Sequence, residues 1–337
     1  MDAFNPTKPS ISKDTADSYE KRYGELERRF SRESGVNNMS PDEVVASLLQ
    51  TKPTLSMSTF RQYKASILYV LDRHHPNHEL AIDLLREESS AGLKKASTQT
   101  SGTKQKFVPD PVWHVLRDAL SERARRGYTR SRGLLQVLEA TLASGLRPNE
   151  WTTAVIATHT ETQRPILRAQ NSKDSNGRAN GEQRELFIDG LEPEQLEAVR
   201  DAIEYCRVDD NTETVKIVRG LKNELADAKR WIMLQERGNS KVRARHLNPV
   251  TLYSFRHQFI ADAKSTWSDP VLISATVGHS STRTAFEHYG KRKNAQRRVR
   301  VLPTPESVAA VHNVKIELYK EFLQGKGPAH ERGNTPT

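Results

Sequence analysis

The sequence predicts a mainly α-helical protein with a small β-sheet, an α+β fold divided into two domains. Three observations support this. The chain has 337 residues, enough for two hydrophobic cores. Helical start signals and apolar residues at helical spacing fill the first quarter of the chain and return in its second half. Between them lies the hydrophilic stretch 97–106, STQTSGTKQK, whose composition is typical of a linker.

The first domain is predicted to be a helical unit over residues 17–96, preceded by a flexible arm over 1–16 that is rich in proline, serine and threonine. Ser40 followed by Pro41, Asp42 and Glu43 is typical of a helix start. Serine caps the N-terminus of a helix, and acidic residues are favoured at the positive end of the helix dipole. Further helices are predicted over 19–30, 58–73 and 78–88. The apolar stripe of the third helix of this domain is formed by Phe60, Tyr63, Ile67, Leu68 and Leu71.

The second domain is predicted to cover residues 108–303, after a linker over 97–107. Helices are expected over 110–126, 130–142, 192–206 and 214–237. Two short strand-like runs, 165–169 and 184–188, flank a segment rich in turn residues and predict a β-hairpin. The remaining residues, 304–337, contain an amphipathic stretch over 308–323 and a polar end expected to be disordered.

The composition points to a polyanionic partner. Lysine and arginine number 52 against 42 acidic residues, which gives a net charge of +10 and a pI near 9.6. Ribosomal and membrane-surface proteins share such a surplus, so it does not identify the partner by itself. The single cysteine, Cys206, excludes an internal disulfide and a multi-cysteine zinc site. With no membrane-length apolar run and no signal peptide, a cytoplasmic protein is expected.

Residues suited to phosphate chemistry are concentrated between Arg147 and Tyr289. Cleaving a phosphodiester without a metal requires a nucleophile, fixed cations and an acid for the leaving oxygen. Arg147 lies in the block Ser-Gly-Leu-Arg-Pro-Asn-Glu, and Arg256 follows Leu-Tyr-Ser-Phe and precedes His-Gln-Phe. His279 lies in Val-Gly-His-Ser-Ser, ten residues before Tyr289. Arginine clamps phosphate through its planar fork, histidine donates to a phosphoryl oxygen, and a tyrosine phenol can attack phosphorus.

These blocks resemble those of the tyrosine recombinase (phage-type integrase) family. The resemblance implies that Tyr289 is the nucleophile, that Arg147 and Arg256 clamp the phosphate, and that His279 assists them. It also implies that Glu150 supports Arg147, and that a lysine of the hairpin protonates the leaving oxygen. The matching hairpin residue is Lys173, with Arg178 and Arg184 as weaker alternatives.

Two features depart from the family pattern. Tyr253 stands where the family has the first histidine of His-x-x-Arg-His, and a phenol with a pKa of about 10 is a poor base near neutral pH. His257 is then a candidate to assist the nucleophile, although its ring could equally be buried and structural. The distance from His279 to Tyr289 is one residue longer than in much of the family. The competing register places His288 there and leaves no nucleophile, so we prefer a one-residue insertion.

The resemblance implies a helical core-binding domain, a catalytic domain, and site-specific recombination for integration or excision of a mobile element. The expected partner is double-stranded DNA, bound by a homotetramer in the bacterial cytoplasm, with accessory DNA-bending proteins as further candidates. No cofactor, metal or membrane is expected. The amphipathic stretch 308–323 is a candidate to dock on a neighbouring protomer. Contacts to the DNA phosphate backbone are expected from Arg178, Arg245, Lys291 and Arg292.

Two rival functions remain open at the level of the sequence. Tyr253 could mark a degenerate site in a DNA-binding accessory or regulatory protein that no longer cuts. Retention of both arginines, the histidine and the tyrosine argues against this, because a protein that only binds DNA does not need that set. The other rival is a related type IB topoisomerase or telomere resolvase, which uses the same residue types.

Overall fold

The computed structural model describes residues 11, 13–94, 105–172, 179–208, 211–235, 244–282 and 290–311. Its contacts divide the chain into two units, residues 1–102 and 103–337. The fold is mainly helical with one small antiparallel sheet, which confirms the predicted fold class. Within the described part of the chain, none of the helices combines the length and apolar character needed to cross a bilayer.

The first unit consists of four helices around their own core. They are α1 (Lys13–Ser34), α2 (Pro41–Thr51), α3 (Met57–His74) and α4 (Glu79–Glu87). Helix α2 begins where the sequence predicts. The Ser40 hydroxyl accepts from the Glu43 backbone N–H at 3.3 Å, and the Glu43 carboxylate accepts from the Ser40 backbone N–H at 2.7 Å, forming a capping box. The predicted stripe of α3 is confirmed, since Phe60, Ile67 and Leu71 are fully buried.

The second unit contains eight helices among its described residues and the sheet. The helices are α5 (Asp110–Arg125), α6 (Thr129–Ser144), α7 (Pro193–Cys206), α8 (Asn211–Gln235), α9 (Ala244–Leu247), α10 (Leu252–Thr266), α11 (Pro270–Thr276) and α12 (Pro305–Ala309). A short 3-10 turn, Glu150–Thr153, precedes the sheet. The strands are β1 (Val155–Thr158), β2 (Pro165–Gln170), β3 (Gln183–Phe187) and β4 (Leu302–Pro303).

The sheet has the order β1-β2-β3-β4, and all neighbouring strands are antiparallel. Strands β2 and β3 form the predicted hairpin, with Leu167 opposite Leu186. The sequence did not predict β1 or β4. Strand β1 exposes Val155 and Ile156, so it lacks a buried apolar face, and β4 has only two residues, one of them proline.

Helices α6 and α10 form the centre of the second core and lie against each other. In α10, eleven of the fifteen residues are buried, so this helix has no solvent-exposed polar face of the usual width. Arg256 belongs to this buried set and is fully inaccessible. A charged group at the middle of such a helix requires polar partners, which the adjacent loops supply.

The end of α6 fixes where the first candidate arginine lies. Gly145 has a left-handed φ of 71°, and a Cβ at this position would lie 2.3 Å from the Phe259 ring. Only glycine allows both the backbone turn and the close approach to α10. Arg147 therefore follows a sharp turn packed directly against the helix that carries Arg256.

Candidate active site

Three buried arginines surround one buried glutamate. Arg147, Arg184 and Arg256 each have at most 1% of their surface exposed, as does Glu150. They come from separate elements, namely the turn after α6, strand β3 and helix α10, while Glu150 begins the 3-10 turn. We call these four residues the arginine cluster.

Arg147 and Glu150 are joined twice. The Arg147 backbone N–H donates to Glu150 Oε2 at 2.6 Å, and Arg147 Nη1 donates to Oε1 at 2.5 Å. The three-residue spacing brings both groups together within one tight turn. Glu150 thus fixes both the backbone and the guanidinium of Arg147.

Arg256 is held by backbone carbonyls. Its Nη1 donates to the Gly145 carbonyl and its Nη2 to the Val277 carbonyl, each at 2.5 Å. Among the described residues, Glu150 Oε2 lies 3.9 Å from Nη1. Arg256 therefore connects the end of α6 to the end of α11.

His279 lies beside Arg256 with 2% of its surface exposed. Arg256 Nη2 and His279 Nε2 are 3.3 Å apart, and a guanidinium can only donate, so Nε2 accepts and Nδ1 carries the ring proton. Burial, followed by the charges of Arg256, Arg147 and Arg184, holds the pKa of His279 well below its usual range. His279 is therefore a neutral hydrogen-bond donor at physiological pH, which suits contact with a phosphoryl oxygen.

The cluster carries a surplus of positive charge. Burial disfavours the ionised form of Glu150, but Arg184, Arg147 and Arg256 hold its pKa well below the usual range. The group then has three positive charges and one negative charge. A surplus of two positive charges beneath the protein surface is costly unless an anion binds there.

Gly278 gives the histidine loop its close approach to the cluster. Its φ is 66°, and a Cβ would lie 2.3 Å from both Arg184 Nη1 and Asn171 Oδ1. Both the positive φ and the close packing against Arg184 and Asn171 therefore require glycine at position 278.

Tyr253 and His257 occupy α10 on either side of Arg256. Tyr253 is 40% exposed. Burial, together with the charges of Arg256, Lys106 and Lys264, lowers the pKa of His257 to about 4. A group with that pKa is a weak proton acceptor at neutral pH, which disfavours His257 as the base that assists a nucleophile.

The structure brings together four of the predicted site residues, namely Arg147, Glu150, Arg256 and His279. Three others, Tyr289, Lys173 and Arg178, lie outside the described residues. The remaining predicted backbone contacts are on the surface, where the side chains of Arg245, Lys291 and Arg292 are exposed.

From the sequence, Arg184 was predicted only as a weaker alternative to Lys173, and Asn171 was not predicted as a site residue. Arg184 Nη1 and Nη2 donate to Glu150 at 3.2 and 2.6 Å, and Nη1 also donates to Asn171 Oδ1 at 2.6 Å. A signal was available, because Arg184 alternates with the apolar Leu186 along β3 and so belongs to the buried face of that strand.

One further group of potential ligands lies outside the cluster. His159, Glu185 and Glu306 place ligand atoms within 4.8 Å of one another. His159 Nδ1 accepts from the Thr162 backbone N–H at 3.2 Å, so the ring proton is on Nε2, which faces Glu306 Oε2 at 3.3 Å. Glu185 Oε1 accepts a hydrogen bond from Arg168 Nε at 2.6 Å. These contacts favour a structural role over a metal site, because Nε2 would have to lose its proton to bind a cation.

Comparisons with known proteins add little. No model of a protein family matches the chain, and no curated protein matches it. Among solved structures, the chain is similar to one described as a crystal structure of XerA recombinase, at 14% sequence identity and a TM-score of 0.32, over 93% of each chain. At this level, the similarity carries no argument about function.

Proposed function

We propose that this protein is a tyrosine recombinase, which cuts and rejoins DNA at specific sites through a 3′-phosphotyrosyl intermediate. The observation that carries the proposal is the positive surplus of the arginine cluster, next to a neutral buried histidine. Three residues of this cluster, Arg147, Glu150 and Arg256, belong to the sequence blocks that resemble the recombinase family. A phosphodiester is an anion of suitable size, and its charge increases as phosphorus is attacked.

In the proposed reaction, the Tyr289 hydroxyl oxygen attacks the scissile phosphorus and gives its proton to solvent water, while the bond from phosphorus to the 5′ oxygen breaks. Arg147 and Arg256 neutralise the nonbridging oxygens, and His279 donates to one of them. Lys173 gives a proton to the departing 5′ oxygen. Attack by the 5′ hydroxyl of another strand then reverses the sequence and releases Tyr289.

The other parts of the chain bind DNA and assemble the recombinase. Residues 17–96 form the core-binding domain and residues 108–303 the catalytic domain, with 97–107 as the linker. Four protomers assemble on two DNA sites to integrate or excise a mobile element. Exposed Arg245, Lys291 and Arg292, together with Arg178, supply backbone contacts.

A second candidate function is supported by Tyr253. A phenol at this position and the low pKa of His257 leave no strong proton acceptor among the residues that flank Arg256. A DNA-binding accessory protein that keeps the phosphate site but does not cut would need no such group. The two candidates differ in a single observable, the covalent bond to DNA.

The test is to trap that bond. Sheared total DNA from the organism that carries the gene is incubated with the protein, and covalent complexes are collected by precipitation with detergent and potassium and then sequenced. Tyr289→Phe, which removes only the hydroxyl, is the matched control. Recombinase activity predicts DNA from discrete sites, recovered with the wild type and not with the variant.

Other outcomes separate the rivals. Specific DNA binding without covalent recovery supports the accessory protein. Covalent recovery from sites without sequence preference, together with relaxation of any supercoiled plasmid, supports a type IB topoisomerase. If the protein neither binds DNA nor yields covalent complexes, all three functions are contradicted.

A further inference from the structure

Arg184 is the arginine that is most completely engaged by Glu150. Its two terminal nitrogens donate to the two carboxylate oxygens, Nη2 to Oε2 at 2.6 Å and Nη1 to Oε1 at 3.2 Å. This two-point arrangement is the strongest geometry available to an arginine and a carboxylate. Both side chains are completely inaccessible, so water screens the interaction little.

The other two arginines relate to Glu150 differently. Arg147 shares the carboxylate through Nη1 and its backbone N–H. Arg256 stays 3.9 Å away and is held by the neutral carbonyls of Gly145 and Val277. One carboxylate can compensate one full positive charge, and the geometry gives the largest part of that compensation to Arg184.

The position of Arg184 is fixed from the other side as well. Asn171 Oδ1 accepts from Arg184 Nη1 at 2.6 Å, and Asn171 Nδ2 donates to Asn180 Oδ1 and to the Gly181 carbonyl at 3.1 and 2.9 Å. Asn180 in turn donates to the Ser307 carbonyl at 3.1 Å. Arg184 is therefore built into the base of the β2–β3 hairpin, and its terminal nitrogens are directed at protein acceptors.

From this geometry we infer that Arg184 is a positioning residue that compensates Glu150, so that Arg147 and Arg256 keep their charge for the DNA phosphate. The inference rests on the proposed function. Without Arg184, Glu150 would be compensated by Arg147 and Arg256 themselves, and both would be drawn towards it and away from an incoming phosphate. With Arg184, Glu150 orients Arg147 without cancelling its charge.

The test is a charge-balance cycle at two positions. Arg184→Gln lowers the cluster surplus from two to one, Glu150→Gln raises it to three, and the double variant restores two. Each protein is assayed for the single-turnover rate of covalent bond formation, on a nicked duplex that carries a DNA site recovered covalently with the wild type. Arg168→Gln is the control, since Arg168 forms a strand-to-strand pair with Glu185 on the same sheet at 2.6 Å, outside the cluster.

We expect Arg184→Gln to lower the rate at least about 30-fold, as loss of one charge-stabilising group does, and Arg168→Gln to leave it within about threefold of wild type. The double variant is expected to be at least about fivefold faster than Arg184→Gln, because the charge balance is restored. A double variant as slow as Arg184→Gln, or slower, overturns the inference, since a purely structural role predicts additive losses.

Folding and the proposed function are controlled separately. Thermal unfolding of each variant identifies those that do not fold. If Arg184→Gln does not fold, the double variant decides alone. A rate within about tenfold of wild type supports compensation, and a larger loss in a folded protein overturns it. Absence of a covalent complex with the wild type contradicts the proposed function itself, whereas a wild-type complex with an unaffected Arg184→Gln contradicts only the role of Arg184.

Discussion

Two buried ionic groups in the second unit differ in how their charges are balanced. Arg123 of α5 donates to Glu224 of α8 at 2.8 Å through Nη2, and to the Ser131 hydroxyl of α6 at 3.0 Å through Nε. One cation meets one anion, and the three helices are joined. The arginine cluster, by contrast, places three cations around one carboxylate, that of Glu150.

Charge balance distinguishes a structural ion pair from a site that binds an anion. Removing one partner of a balanced buried pair leaves an uncompensated charge and destabilises the fold. In the arginine cluster, three cations share one carboxylate, so removing one of them lessens the repulsion among the cations and lowers the affinity for an anion. Stability and activity should therefore respond in opposite ways at Arg123 and at Arg256.

The first prediction, with the largest expected change in rate, compares alanine variants of Arg256 and Arg123. Arg256→Ala should reduce the rate of covalent complex formation by about 100- to 1,000-fold, because one group that stabilises the phosphoryl charge is lost. Arg123→Ala should instead lower the free energy of unfolding by about 3–5 kcal/mol and leave the rate of the folded protein unchanged. Urea unfolding and single-turnover assays of both variants measure the two quantities. Equal losses of stability and of activity in the two variants would remove the distinction.

A second prediction concerns the backbone next to His279. Gly278→Ala adds a methyl group 2.3 Å from Arg184 Nη1 at a position with φ of 66°. Gly127 has φ of 90° and open space around it, so Gly127→Ala introduces backbone strain alone and is the matched control. Both variants should lose about 1–2 kcal/mol of stability from strain. Only Gly278→Ala should also slow covalent complex formation, by at least about tenfold. A similar slowing in Gly127→Ala would show that the cluster is not specifically involved.

A third prediction concerns how the stabilisation contributed by ionised Glu150 depends on pH. Its pKa is held well below the usual range in the folded protein, whereas in the unfolded chain it is about 4.3. The stabilisation is therefore fully present above the unfolded value, and it is lost as pH falls below it. We expect the stability difference between wild type and Glu150→Gln to shrink as the pH decreases from 6 to 3, measured by urea unfolding. A difference independent of pH would contradict an ionised Glu150.

The smallest effect is expected at the surface. Lys291→Ala and Arg292→Ala should each weaken DNA binding modestly and reduce the slope of log affinity against log salt by about 1. Arg164 is partly exposed and paired with Asp189 at 2.8 Å, so Arg164→Ala should change the slope less. Binding measured by fluorescence anisotropy at several salt concentrations provides the comparison. A slope that Lys291→Ala and Arg292→Ala leave unchanged would exclude these two side chains from the DNA contact.

The sequence predicted the elements that have one exposed and one buried face. Helix α3 and the β2–β3 hairpin follow from apolar periodicity and turn residues, and α2 from its capping signal. Strands β1 and β4 lack such a pattern. Helix α10 is buried on nearly all sides, so periodicity could not assign the role of Arg256, which came from the resemblance of its sequence block.

Within the candidate site, spacing placed Arg147 beside Glu150, because three residues span one turn. It could not place Arg184, which lies 34 residues from Glu150 along the chain and meets it only through the fold of the hairpin. The low pKa of His257 also depends on tertiary contacts, with burial as the main cause. Local chemistry is readable from the sequence, whereas charge balance requires the packed structure.

The most direct test of the account is to identify the residue that is linked to DNA. A trapped covalent complex is digested with nuclease and trypsin, and the peptide 284–291, TAFEHYGK, is examined by mass spectrometry. We expect a 3′-phosphonucleotide on Tyr289. A nucleotide attached to any other residue of the chain, or DNA bound at a specific site with no covalent link, would contradict it.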